Sequence, residues 1–268
     1  MMYHELLIEK RERIYVIKFN RPQHLNAFNT RLTGEFVNAL STADRENEIK
    51  VVIITGAGSA FSAGIDINEA IERIEEHKPI LSSFESMVPV QMSVPWVPWI
   101  IRHMKKPVIA AINGPAIGAG FTTALACDIR VASEQAQMGA PFGRVGLIPE
   151  FGSTYNLPRL VGIAKACELV FTCDVIDARE MEEIGLVNKV VAADDLERFT
   201  YQMASKIAKW PSLSIQIAKR ALYQGLDSDL VSQLQFEALG IGICSETEDH
   251  YEGLKALLEK RSPVFKER

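Results

Sequence analysis

The sequence predicts an α/β core followed by an all-helical C-terminal segment. Three observations lead there. Short, continuous apolar runs read as buried strands: Val51 to Thr55, Pro107 to Ile112 and Ile129 to Ala132. Segments of helical periodicity alternate with such runs. Beyond about residue 200 only helical patterns remain.

The elements follow in order. Leu6 to Glu9 and Ile14 to Phe19 are rich in branched and alternating residues and read as a strand pair across the charged turn Lys10 to Arg13. Asn20-Arg21-Pro22 ends the second strand. Phe28 to Thr42 carries apolar residues at helical spacing: Leu32, Phe36, Val37 and Leu40. Phe121 to Cys127 reads as a buried helix. Leu196 to Lys209, Ser212 to Gln224, Asp229 to Cys244 and Tyr251 to Lys260 supply the helical end. We therefore expect a core over 1–200 and a helical region over 201–268. The stretch Ile71 to Met104 begins as a charged helix and becomes apolar and proline-broken, through Val94-Pro95-Trp96-Val97-Pro98-Trp99. It reads equally as a pocket wall or lid and as a helix-loop-helix connection packed on the core.

Composition narrows the function. The chain has 268 residues, 47% hydrophobic and 24% charged, an ordinary globular balance. A net charge of −5 does not favour nucleic acid or an anionic membrane as partner. Cys127, Cys167, Cys173 and Cys244 show no CxxC spacing, so neither disulfides nor zinc are expected. The N-terminal residues do not resemble a signal peptide, and no apolar run reaches about 20 residues. A cytoplasmic protein without a membrane span is expected.

Three glycine-rich turns follow apolar strands: Gly56 to Asp66, Asn113 to Gly120 and Gly143 to Gly152. Small residues there leave backbone N–H groups uncovered and let a ligand approach. The second turn runs into the buried helix, whose free N-terminal donors favour a negative atom. None of the turns matches a phosphate-binding GxxxxGK[ST] pattern or a dinucleotide fingerprint.

Six blocks in order carry a resemblance over nearly the whole length. They are Asn20-Arg21-Pro22 with Asn26-Ala27-Phe28, Val51 to Gly56, Phe61 to Asp66, Lys106 to Gly114, Ala126 to Arg130, and Ser245 to Asp249 with Glu259-Lys260-Arg261. With them the chain resembles the crotonase (enoyl-CoA hydratase/isomerase) superfamily. The resemblance implies a spiral of ββα turns, a helical C-terminal region that builds trimers or hexamers, and an acyl-CoA thioester as substrate. Coenzyme A then enters only as part of the substrate, with no separate cofactor. The resemblance places the oxyanion donors on the backbone N–H groups of Ile65 and Ala119. It places coenzyme A along Arg21, Leu25, Ala63, Gly64 and Asp66, with Gly118 and Phe142 also at the substrate. Phe265 and Lys266 would reach a neighbouring subunit's coenzyme A.

The reaction is a separate question. Typical hydratases of this superfamily use two glutamates; here those positions are Thr122 and Phe142. A different carboxylate, Glu150, lies in Leu147-Ile148-Pro149-Glu150-Phe151-Gly152-Ser153. This resembles the stretch that holds the single base of the superfamily's 3-enoyl-CoA to 2-enoyl-CoA isomerases. An allylic isomerase needs one base, which removes a proton from C2 and returns it at C4. Apolar neighbours raise a carboxyl's pKa, which suits that shuttle. The expectation is thus an isomerase with Glu150 as base. The alternatives are a hydratase using Glu150 in a non-standard site, and a non-catalytic or RNA-binding relative. Asp128 reads as structural, and His24, His77, His103 and His250 show no partner pattern.

Overall fold

The computed structural model describes residues 3–76 and 97–268. Strands β1 (Leu6–Arg11) and β2 (Ile14–Phe19) form an antiparallel hairpin, Leu6 opposite Phe19 and Arg11 opposite Ile14. The chain then crosses over through helix α1 (Thr30–Arg45) to β3 (Val51–Gly56), parallel to β2. Strands β4 (Val108–Ile112), β6 (Ile129–Ser133) and β9 (Lys189–Val191) continue the parallel ladder, giving the order β1-β2-β3-β4-β6-β9. A smaller sheet joins β5 (Ala116–Ile117), β7 (Gln137–Gly139) and β8 (Val175–Asp177). This is an α/β architecture, and helices fill the C-terminal region.

The apolar runs of β3 and β4 have a simple cause: both strands are buried on both faces. Val52, Ile54, Val108 and Ala110 face a core that includes α1. There Phe19 meets Phe28, Phe36 and Phe61 edge to face, with ring centroids 5.1, 5.0 and 5.6 Å apart. Val51, Ile53, Ile109 and Ala111 face Leu196 and Ala204 of α8 (Leu196–Ala208).

Some boundaries move for local reasons. Helix α1 starts at Thr30, because the Asn29 side chain caps it by accepting from Leu32 N–H at 2.7 Å. Phe28 instead pairs with Ile65 in an isolated parallel bridge. Helices α5 (Ser153–Val161) and α6 (Ile163–Thr172) were not expected from the sequence. Pro158 inside α5 reads as a breaker. The stretch from Ile71 is bounded by α2 (Ile67–Glu75) and α3 (Val97–His103). Trp96, His77 and the wall-or-lid reading lie outside the described residues. Helix α4 (Ala119–Ala126) is buried throughout, as its sequence indicates. Helices α7 (Ala178–Glu183), α9 (Ser212–Gly225), α10 (Leu230–Ser245) and α11 (Glu248–Leu258) complete the chain.

Candidate active site

Two glycine turns are brought into contact. The loop after β3 runs Ser62-Ala63-Gly64-Ile65, and the loop after β5 runs Gly118-Ala119 into α4. Gly64 has φ 106° and Gly118 has φ 54°, conformations that glycine adopts without strain. A Cβ at Gly64 would lie 3.1 Å from Ile117 O and 3.6 Å from Ala119 N. Two bridges fix this approach. Phe28 donates to Gly64 O at 2.7 Å and accepts from Asp66 N–H at 2.8 Å, while Ile117 N–H donates to Ser62 O at 2.9 Å. The pattern passes over Ile65 N–H. Ala119 is the first residue of α4, so its N–H has no partner within the helix. Among the described residues neither group donates a hydrogen bond. Two uncommitted donors at adjoining loops, one on a helix N-terminus, can take up charge on a carbonyl oxygen.

Glu150 sits in the turn before α5, and α5 packs on α4. Its carbonyl accepts from Ser153 N–H at 3.0 Å and Ser153 Oγ at 2.7 Å. Its carboxyl is half-buried and has neither ion pair nor hydrogen bond among the described residues. Burial alone pushes its pKa up to about 7. A carboxyl balanced near neutrality can both accept and donate a proton.

The other expected residues divide. Phe142 is buried and follows Gly139, whose carbonyl accepts from Gly118 N–H at 3.1 Å, so its segment adjoins the second glycine turn. Thr122 is fully buried and its hydroxyl donates to Ala119 O at 3.1 Å, within the helix. Leu25 and Ala63 are exposed at the same corner, where Ala63 N–H donates to Leu25 O at 2.9 Å. Arg21 is 7% exposed and its guanidinium is engaged within the protein. It donates to Ala27 O at 2.5 Å and Asp66 Oδ2 at 2.9 Å, and lies 3.4 Å from Glu5. Asp66 also caps α2 through Asn68 N–H. Burial pushes its carboxyl up, but Arg21 and the α2 amides outweigh this and hold it below its ordinary range. The Arg21–Asp66 pair thus braces the loop that carries Gly64 and Ile65.

Sequence reasoning missed a second polar assembly. Arg102 of α3 lies over the rings of Tyr155 and Tyr223, 4.8 Å from each centroid, and donates to Asp227 at 3.0 Å. No spacing signals it, because its members come from three distant helices and a turn.

Residues 9–268 match the enoyl-CoA hydratase/isomerase family. The chain belongs to that family. It is 37% identical over 266 residues to a crotonyl-CoA hydratase of Syntrophomonas wolfei, covering 99% of both chains. It is 36% identical to a short-chain-enoyl-CoA hydratase of Clostridium acetobutylicum, covering 97% of both. A solved enoyl-CoA hydratase of Bacillus anthracis superposes with a TM-score of 0.89 at 35% identity, covering 99% of this chain and all of that one.

The chain is therefore an enzyme of the crotonase superfamily. These findings overturn the isomerase expectation: the similar proteins carry hydratase names, and the hydratase alternative is the better supported. The physical reason is that the Glu150 stretch fixes where a carboxyl stands. It does not fix whether the proton it moves comes from carbon or from water. Among the described residues no group of His, Cys, Asp and Glu could hold a metal, and no helix is long and apolar enough to cross a membrane.

Proposed function

We propose that this enzyme adds water across the double bond of a 2-enoyl-CoA thioester, with Glu150 as its single acid–base group. What supports addition of water is the likeness to hydratases; what supports the acid–base role is the half-buried Glu150 carboxyl, without a partner among the described residues and raised to about 7 by burial alone. The thioester oxygen accepts hydrogen bonds from Ile65 and Ala119 N–H. As a carboxylate, Glu150 takes a proton from water while the water oxygen bonds to C3. The C2–C3 π electrons move toward the thioester, and the enolate oxygen is held by the two donors. Glu150, now protonated, returns the proton to C2. One water is added, and the enzyme ends as it began. A pair of glutamates divides these roles elsewhere in the superfamily; Thr122 and Phe142 leave them to one residue.

Coenzyme A lies along Leu25, Ala63, Gly64 and Asp66, with Arg21 bracing that corner and Gly118 and Phe142 beside the acyl group. The region 201–268 assembles the chain into a trimer or hexamer. Its support is the apolar surface of α10 and α11, where Leu230, Leu234, Leu239, Ile241, Leu254 and Leu257 are exposed. We place the enzyme in the cytoplasm.

The test is mass spectrometry and NMR of products from a series of straight-chain 2-enoyl-CoAs, with wild type and Glu150→Gln. Gain of one water at C3, lost in the variant, is expected. No hydration, or equal rates in both proteins, overturns the proposal.

A further inference from the structure

We infer that Asp227, in the turn between α9 and α10, is a positioning residue: through Tyr155 and Arg102 it holds the turn that carries Glu150. The inference rests on the role given to Glu150 above.

That turn needs holding. Phe151 has φ 52° and Gly152 has φ 70°, so two left-handed residues in succession link Glu150 to α5. Such a conformation is costly for phenylalanine and persists only where surrounding contacts enforce it. Part of the enforcement is local. Phe151 is buried, and Ser153 binds the Glu150 carbonyl twice. Yet these contacts fix the turn only relative to α5, so α5 itself must be fixed.

Tyr155 fixes it. Its N–H donates to Gly152 O at 3.0 Å, tying it back to the turn. Its hydroxyl donates to Asp227, 2.5 Å from either carboxylate oxygen. Arg102 donates to Asp227 at 3.0 Å, to Tyr155 Oη at 3.1 Å and to Tyr223 O at 3.1 Å. Arg159 covers the other part of the assembly, 3.5 Å from the Tyr155 ring centroid and 3.4 Å from Asp227. The Tyr155 hydroxyl, with Arg102 and Arg159 beyond it, holds the Asp227 carboxyl below its ordinary range, so it stays an anion at neutral pH. Asp227, just beyond α9, is thus the acceptor on which Arg102 of α3 and Tyr155 and Arg159 of α5 converge, and α5 begins three residues after Glu150. A displacement of about 1 Å at a catalytic group costs up to about 10²-fold in rate.

The experiment compares wild type, Asp227→Asn, Asp227→Glu and Tyr155→Phe as full chains. Hydrogen exchange is read over residues 151–157, and kcat and KM with a 2-enoyl-CoA. Expected in Asp227→Asn and Tyr155→Phe are exchange over 151–157 faster by roughly tenfold, exchange elsewhere unchanged, kcat lower by about 10- to 100-fold and KM unchanged. Asp227→Glu recovers part of both. Tyr155→Phe keeps the ring and loses only the hydroxyl, so it reports should Asp227→Asn fail to fold. Unchanged exchange over 151–157, a uniform rise across the chain, or faster exchange with full kcat each overturns the inference. Should Glu150→Gln retain activity, the proposed function falls on that result, and exchange over 151–157 still decides whether Asp227 holds the turn.

Discussion

Lys219 and Asp128 meet at 2.8 Å, although 91 residues separate them. Lys219 is 5% exposed and donates also to the carbonyls of Ile101 at 2.8 Å and Lys106 at 3.0 Å. Asp128 accepts further from Val108 N–H and Tyr223 Oη, both at 2.7 Å. Every donor of the ammonium is used, so α9 is riveted to the end of α3 and the start of β4. Removing one partner strands a buried charge. Lys219→Met is expected to lower stability by about 3–5 kcal/mol, read as a shift in the urea midpoint. Adding Asp128→Asn to it is expected to restore part of the loss; strict additivity would deny the coupling.

Glu150 links activity to stability. A carboxyl raised from 4.5 to about 7 on folding binds its proton more tightly in the folded state. Between those values the folded chain holds more protons than the unfolded one, so stability falls as pH rises. Below about pH 4.5 both states are protonated and the burial costs no charge; as pH rises to about 7 and beyond, the folded state loses on the order of 3 kcal/mol relative to the unfolded one. Glu150→Gln removes this slope. Melting at pH 5 and pH 8 is expected to show the variant gaining on wild type at the higher value. Parallel losses in both proteins would contradict the burial.

A side chain at Gly64 tests the donor geometry. The new Cβ meets Ile117 O at 3.1 Å and the backbone stands at φ 106°, so the loop must shift. Gly64→Ala is expected to lower kcat on the order of 10²-fold, as when an oxyanion donor is lost. Steady-state kinetics on a 2-enoyl-CoA checks this, and unchanged kcat would remove Ile65 from the mechanism.

The α10 surface makes a prediction about assembly. Leu234 is 53% exposed on a helix with apolar residues on many sides. Leu234→Asp is expected to convert the proposed oligomer to smaller species at micromolar concentration, measured by sedimentation velocity. An unaltered distribution would place the interface elsewhere.

The parts of the fold legible in the sequence are those buried on both faces. Val51 to Thr55 and Pro107 to Ile112 stand within a residue or two of β3 and β4, because double burial forces an unbroken apolar run. Strands β7 and β8, each of three residues, are too short to show alternation. Helix α5 hides behind Pro158. At the site, the glycine turns and Glu150 stand out locally. The reaction did not, since one carboxyl moves protons between carbons or from water with the same side chain. Arg21 illustrates a different limit. The resemblance places it along coenzyme A, and only the folded chain reveals that Asp66, Ala27 and Glu5 engage its guanidinium. The Asp227 assembly was invisible for a related reason: its bonds span 53 to 125 residues.

The two donors proposed for the thioester are main-chain N–H groups, at Ile65 and Ala119. Short of proline, no substitution deletes a main-chain donor, although a side chain at Gly64 would displace one. The polarising half of the proposed centre therefore rests on backbone shape, while the proton-handling half rests on the identity of one residue. Under the proposed mechanism that residue could be exchanged while the enolate cradle stays competent. Descent within this fold thus preserves a capacity more faithfully than it preserves any particular transformation.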